Sequence, residues 1–231
     1  VGAIERHLRV SSARIVTIPN GVDVAALDAL AAQAPVREVR ARFGLVDAPL
    51  VLLSVARLEQ NKGLIEALAA LNDARNHLPG GWRWLIVGRG SEEARLRAAI
   101  AGYGFAGNVT LAGALPDAET HALLASADLF LTPSLYEGSS LATLEALARG
   151  LPVVATSAGG LPDKVRPGET GWLAAPGDIS SLAAAFITAL TTRPAWPDYS
   201  ARARTLATTA FDWAALADRY ITLYQQLRAP R

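Results

Sequence analysis

Seven short apolar or β-branched runs punctuate the chain, near residues 14–18, 50–55, 83–87, 108–112, 128–132, 152–156 and 172–174, and segments of helical spacing separate them. The run Leu50-Val-Leu-Leu-Ser-Val55 is apolar almost without interruption. A strand of that kind needs cover on both faces, which a parallel sheet flanked by helices supplies. Strict alternation of such runs with helices predicts one doubly wound parallel sheet of the α/β class, its ligand crevice at the carboxyl ends of the strands. Hydrophobic residues make up 51% of the 231 residues, so the chain can bury a core.

The stretch from Pro133 to Ala155 says most about the ligand. Ala127 to Thr132 reads as a buried strand and Pro133 to Gly138 as a turn-rich loop. A helix begins near Ser139, with Leu141, Leu144, Leu147 and Ala148 at helical spacing; Gly150 ends it, and Leu151 to Thr156 resumes as a strand. The start of such a helix carries unpaired N–H groups and the positive end of its dipole, so the amides of Gly138, Ser139, Ser140 and Leu141 can receive a phosphate. Glu137 lies just before this seat. Glu145 lies eight residues on, roughly 12 Å along a helical rise. Paired glycosidase carboxyls stand about 5 Å to roughly 9.5 Å apart, which disfavours a two-carboxylate hydrolase. Two acids straddling a phosphate seat suit a nucleotide diphospho-sugar, with ribose at one end and hexose at the other. The plainer alternative makes Glu137 a solvated loop acid and Glu145 an exposed helix residue.

Other loops follow other strands. Arg57 and Lys62, the latter before Gly63, come after the Leu50 to Val55 run, where open parallel sheets bind ligands. Arg57 can fork two diphosphate oxygens, and Lys62 supplies a point charge. A basic loop on a solvated edge is the bland reading. Gly88-Arg89-Gly90 is half of a dinucleotide fingerprint, weak by itself. Asp117 can accept from a guanine or cap the helix after it, and capping is the preferred reading. Composition removes other classes. With 22 basic against 21 acidic residues there is no basic field for nucleic acid. No cysteine is present, and His7, His77 and His121 are far apart without metal-ligand spacing; each reads as a surface or core residue, and no metal or cofactor is expected. No run approaches a membrane span and no signal peptide opens the chain. The first residue is Val and methionine is absent, which reads as a fragment or a processed product.

Glu137 and Glu145, with the seven residues between them, resemble the E-x7-E segment of retaining glycosyltransferases of the GT-B fold, group 1 or family 4, and the resemblance extends over almost the whole chain. It implies a Rossmann-like sheet forming one half of a GT-B fold. It also implies that Glu137 faces the donor sugar hydroxyls and Glu145 the ribose, and that Arg57 and Lys62 stabilise the leaving diphosphate in place of a metal. Leu115 is the implied base contact. Gly88 and Gly90 let their loop approach the donor, and Gly159-Gly160 is a turn near the sugar. Where the family often has Phe-Gly, this chain has Ser139-Ser140.

The domain expectations follow. Val1 to Val10 reads as a short helix or the tail of one, and residues 1–13 as the tail of a missing N-terminal domain that recognises the acceptor. Pro19-Asn-Gly-Val-Asp23 resembles the segment that opens the family's C-terminal domain. Residues 14–195 form the nucleotide-sugar-binding domain, and the helices of 196–231 pack back toward the missing domain, leaving an underburied face in its absence. The implied function is the donor-binding domain of a retaining hexosyltransferase, inactive alone, working by front-face departure and attack. A cytoplasmic enzyme with peripheral membrane contact through the absent domain is compatible with this. Three alternatives remain: a nucleotide-sugar epimerase, for which no acid–base groups are assignable; a glycogen or starch synthase, whose usual lysine-rich donor loop is not seen; and a regulatory module that binds a nucleotide sugar without turning it over.

Overall fold

The computed structural model describes residue 11 and residues 14–228. Strands β1 (Val51–Val55), β2 (Arg83–Val87), β3 (Val109–Gly113), β4 (Leu129–Thr132), β5 (Val153–Thr156) and β6 (Gly171–Ala174) form one sheet in the order β3-β2-β1-β4-β5-β6. Every neighbouring pair is parallel, with Leu53 opposite Leu85 and Phe130 on its two sides. From β1 the chain builds outward to β3, then returns to lay β4 on the other side. The crossovers therefore diverge above the gap between β1 and β4, where a doubly wound sheet opens a crevice.

Nine α-helices accompany the sheet among the described residues: α1 (Val24–Ala31), α2 (Val36–Arg42), α3 (Leu64–Asp73), α4 (Glu93–Gly102), α5 (Asp117–Leu124), α6 (Leu141–Ala148), α7 (Ile179–Thr191), α8 (Trp196–Thr209) and α9 (Trp213–Arg228). Strand side chains alternate between two cores. Leu52, Trp84, Ile86, Leu131 and Val154 pack with α3, α4 and α7, whereas Leu53, Leu85, Phe130, Val153 and Ala155 pack with α5, α6 and α8. The one polar side chain in β1 is satisfied: buried Ser54 donates to the Leu131 carbonyl at 2.7 Å and accepts from the Trp84 indole at 3.1 Å. Local signals set the helix ends. Asp178 caps α7 by accepting from the Ser181 N–H at 2.9 Å, and Gly150, at φ 71°, turns the chain out of α6.

Three expectations need correction. Residues 14–18 form no strand, so the sheet among the described residues has six strands rather than seven; Val16 is exposed, and the run pairs with none of them. Asp117 is not a cap: Pro116 holds that position, and Asp117 is the first residue of α5 with its side chain released. The boundary drawn at 195 cuts through packing. Helix α8 buries Trp196, Tyr199, Ala203, Leu206 and Ala207 in the two cores and lies along α6, so it belongs to the sheet domain, and α9 alone stands out with Leu216 as its buried residue. The expected helix over residues 1–10 lies outside the described residues.

The turn Pro19-Asn20-Gly21 meets the entrance to α9. The Val22 N–H donates to the Phe211 carbonyl at 2.8 Å, and the Trp213 N–H donates to the Val22 carbonyl at 3.1 Å. A Cβ on Gly21 would stand 3.0 Å from Trp213 Cα, so a larger residue there would have to push the entrance of α9 away by a few tenths of an ångström.

Candidate ligand-binding site

The crevice rim is assembled by loops lying main chain on main chain. After β2, Gly88 (φ 139°) crosses over the end of β1, where a Cβ would stand 1.8 Å from the Ala56 carbonyl oxygen; a Cβ on Gly90 would stand 2.3 Å from that of Leu58. The Ala56 and Leu58 N–H groups donate to Val87 and Arg89 at 3.0 and 2.9 Å. The half-fingerprint of glycines is thus required by a neighbouring loop. Between these loops and α5 and α6 lies a cleft of about 420 Å³, lined among others by Arg57, Gly88, Leu115, Asp117, His121 and Glu145. Four of the residues picked from the sequence, Arg57, Gly88, Leu115 and Glu145, therefore share one cavity.

The polar groups of this cleft are poorly satisfied from within the protein. Burial, with the Asp117 charge adding to it, pushes the Glu145 carboxyl above the usual range, and Arg149 opposes the shift. His121 is buried on α5 and its Nδ1 has no partner among the described residues. Burial and the nearby Arg149 hold its pKa below the ordinary histidine value, against Asp117. Arg149 itself is engaged elsewhere, donating to Asp28 and to the Leu27 carbonyl. Arg57 is exposed, and none of the ion pairs among the described residues includes it.

Across the switch point the situation is reversed. Lys62 Nζ lies 2.6 Å from Glu137 Oε2, with both side chains largely buried, and Ser134 Oγ donates to the same oxygen at 3.3 Å. Glycine again permits the approach: Gly63 is left-handed (φ 65°), and a Cβ there would stand 2.0 Å from the Pro133 carbonyl oxygen. The Leu135 N–H donates to the Asn61 carbonyl at 2.8 Å. The loop after β5 closes the clasp. A Cβ on Gly159 (φ 53°) would stand 1.6 Å from the Glu137 carbonyl oxygen, and one on Gly160 would stand 2.6 Å from that of Gly138.

Between the two carboxylates lies the start of α6. Ser140 caps it, its Oγ accepting from the Thr143 N–H at 3.2 Å and the Thr143 hydroxyl at 2.8 Å. The N–H groups of Gly138, Ser139, Ser140 and Leu141 find no acceptor among the described residues. A Cβ on Gly138 would meet nothing within 4 Å, so no protein contact demands a glycine there.

One residue beneath this seat escaped sequence reading. Lys164 is 2% exposed, and its Nζ donates to Ser139 Oγ at 3.1 Å and to the Gly160 carbonyl at 3.3 Å. The chain has only two lysines, and both reach the loop between Glu137 and Ser140; that scarcity was the available signal. Among the described residues no group of three or more metal-ligating side chains could hold a metal ion, and no helix is long and apolar enough to cross a membrane.

Residues 35–206 match the family of glycosyl transferases group 1. The chain is 41% identical over 142 residues to the amylovoran biosynthesis glycosyltransferase AmsK of Erwinia amylovora, covering 59% of this chain and 35% of that protein. It is 36% identical over 212 residues to the glycogen synthase of Mycobacterium tuberculosis, covering 92% of this chain and 48% of that one. The chain thus spans between about a third and a half of the curated relatives it matches. Among solved structures, sucrose-phosphate synthase from Thermosynechococcus elongatus superposes with a TM-score of 0.81 at 27% identity, over 98% of this chain and 56% of that one.

Proposed function

The chain belongs to the group 1 glycosyl transferases and folds as one half of a GT-B enzyme, and from that premise we propose that it is the donor-binding domain of a retaining, family 4 hexosyltransferase. The observation that carries this is the crevice between β1 and β4. Loops from five strands meet there around unpaired helix-start amides, with one carboxylate at each end. A nucleoside diphosphate sugar matches the order of groups. The base lies by Leu115 and Asp117, the ribose hydroxyls donate to Glu145, and the diphosphate meets Arg57 and the amides of Gly138 to Leu141. The sugar lies toward Glu137 and the Gly159-Gly160 turn. Asp117, released from capping, is available to a base that presents N–H donors.

The chemistry asked of these residues is charge stabilisation. As the glycosidic bond breaks, negative charge grows on the leaving diphosphate, and Arg57, Lys62 and the helix-start amides are donors that can receive it without a metal. Glu137, tied to Lys62, serves as acceptor for sugar hydroxyls. With no general base in this half, the leaving phosphate itself takes the acceptor's proton, on the same face of the sugar.

The rest of the enzyme is the acceptor side. On α9, Trp213, Tyr220, Ile221, Tyr224 and Leu227 are exposed along a helix with little core contact, and we assign that face to the N-terminal domain, which also carries any contact with a membrane. The similarity to a glycogen synthase over 212 residues keeps glucan extension as a second reading of the acceptor.

Calorimetric titration of the chain with UDP, GDP and ADP, and with their glucose, mannose and N-acetylglucosamine conjugates, tests the proposal. Selective binding that is lost in Glu145→Ala is expected, without sustained transfer by the chain alone. No binding by folded protein, or transfer without a second domain, would overturn it.

A further inference from the structure

We propose that Ser139 is a side-chain donor to the ligand's diphosphate and that buried Lys164 is the positioning residue that makes it one; this rests on the donor-binding reading above. The family-matching stretch departs from its frequent Phe-Gly at two serines, and the structure gives them different work. Ser140 Oγ, in a buried residue, accepts two hydrogen bonds from Thr143 as the α6 cap. Ser139 Oγ instead receives a hydrogen bond from the Lys164 ammonium at 3.1 Å. An ammonium has donors and no acceptor, so the Ser139 proton has nowhere to go on that side. The proton is therefore left for an acceptor on another side, and the free amides of Gly138 and Leu141 on the same loop mark the side from which an anion would supply one. A charged donor at its oxygen also polarises the hydroxyl and strengthens its own donation.

The position of the ammonium is itself over-determined. Lys164 Nζ also donates to the Gly160 carbonyl at 3.3 Å, lies 5.9 Å from the centre of the Phe211 ring, and sits in a residue only 2% exposed. No carboxylate pairs with it directly among the described residues. Burial lowers its pKa, while Asp163 and Glu137 favour its charged form. A buried cation held by neutral oxygens under an amide nest completes its electrostatics when an anion arrives on the other side. That asymmetry favours a phosphate oxygen over a sugar hydroxyl as the acceptor of the Ser139 proton.

The test is calorimetry of the 231-residue chain with UDP, GDP and ADP and their glucose conjugates, on wild type, Ser139→Ala, Lys164→Met, Lys164→Arg, the Ser139→Ala/Lys164→Met double variant and Arg57→Ala. Ser139→Ala should bind the preferred nucleoside diphosphate roughly tenfold more weakly, with the same loss for its sugar conjugate. Lys164→Met should lose about as much, the double variant little more than either, and Lys164→Arg should recover part of the affinity. With two lysines in the chain, selective 13Cε labelling gives one signal for each; the Lys164 signal should move on saturation with nucleotide in wild type, and by a clearly different amount at matched saturation in Ser139→Ala. Should Lys164→Met fail to fold, Ser139→Ala and the Lys164 signal still decide the matter. Wild-type affinity in Ser139→Ala, or loss confined to the sugar conjugates, would overturn the assignment while Arg57→Ala still reports on the donor site. Absence of nucleotide binding by folded wild type would instead remove the donor reading and this inference together.

Discussion

The two ends of the crevice are built on opposite plans. At the Glu137 end the carboxylate already has an ammonium at 2.6 Å and a hydroxyl at 3.3 Å, and three loops are locked together by glycines pressed on carbonyl oxygens. At the Glu145 end the carboxylate is half-buried beside another acid, His121 Nδ1 lacks a partner, and Arg57 extends into the cleft outside any ion pair found among the described residues. A group satisfied in advance costs little to hold in place and gives up little to a ligand. One left unsatisfied strains the folded chain and is relieved on binding. The contrast assigns rigidity to the first end and affinity to the second.

That contrast can be broken most forcefully at Gly159. Alanine there combines a left-handed backbone with a Cβ 1.6 Å from the Glu137 carbonyl oxygen, and we expect about 2–4 kcal/mol of lost stability in chemical denaturation. A loss below ~1 kcal/mol would mean that the clasp yields easily. Lys62→Ala comes next. It leaves the mostly buried Glu137 carboxylate with Ser134 alone, at a cost of about 1–2 kcal/mol. Adding Glu137→Ala should cost little more, and full additivity in that double-mutant cycle would show the two side chains to be independent.

At the other end the sign should invert. Burial raises the Glu145 carboxyl in the folded chain, so the folded state holds this proton more tightly than the unfolded state does. Wild type therefore loses stability as pH rises from the ordinary carboxylate range through the raised folded pKa. Glu145→Gln escapes that loss. It should match wild type in acid and melt a few degrees higher at neutral pH, the shift that about 1 kcal/mol gives a domain of this size, while its nucleotide affinity falls. A difference in Tm that is constant from about pH 4 to about pH 8 would exclude the raised carboxyl as its cause. Smallest of all is the effect of Arg57→Ala on stability, expected within ~0.5 kcal/mol because the side chain is exposed. Its effect on diphosphate binding should be roughly tenfold or more, and a matching loss of stability would make Arg57 a structural residue.

Much of this architecture is legible in the residues. Leu50 to Val55 declares a doubly covered strand, Asp178 and Gly150 announce helix ends, and both glutamates sit where loop and helix spacing place them. The Arg14 to Ile18 run misleads because β-branched residues record a local preference, and no strand of the sheet pairs with the run to satisfy it. Asp117 misleads because a carboxylate before a helix caps only when it stands one residue outside; Pro116 takes that place, and its ring suits the turn. The glycines of Gly88 and Gly90 were legible as close approach, but what they approach is a neighbouring carbonyl. Lys164 belongs to no spacing at all. Its meaning depends on Ser139, twenty-five residues away, and on a turn that brings the Gly160 carbonyl to the same point.

The main-chain construction of the rim also bears on how such a site changes over time. Where Gly63 meets Pro133, Gly88 meets Ala56 and Gly159 meets Glu137, no side chain stands between the loops. The scaffold is thereby insulated from the alphabet displayed on it. Exchanges at Tyr136, Gly138 or Ser157, all exposed, alter the vocabulary of the rim without moving the shelf on which it stands, so new ligand preferences can be sampled one residue at a time on an unchanged frame.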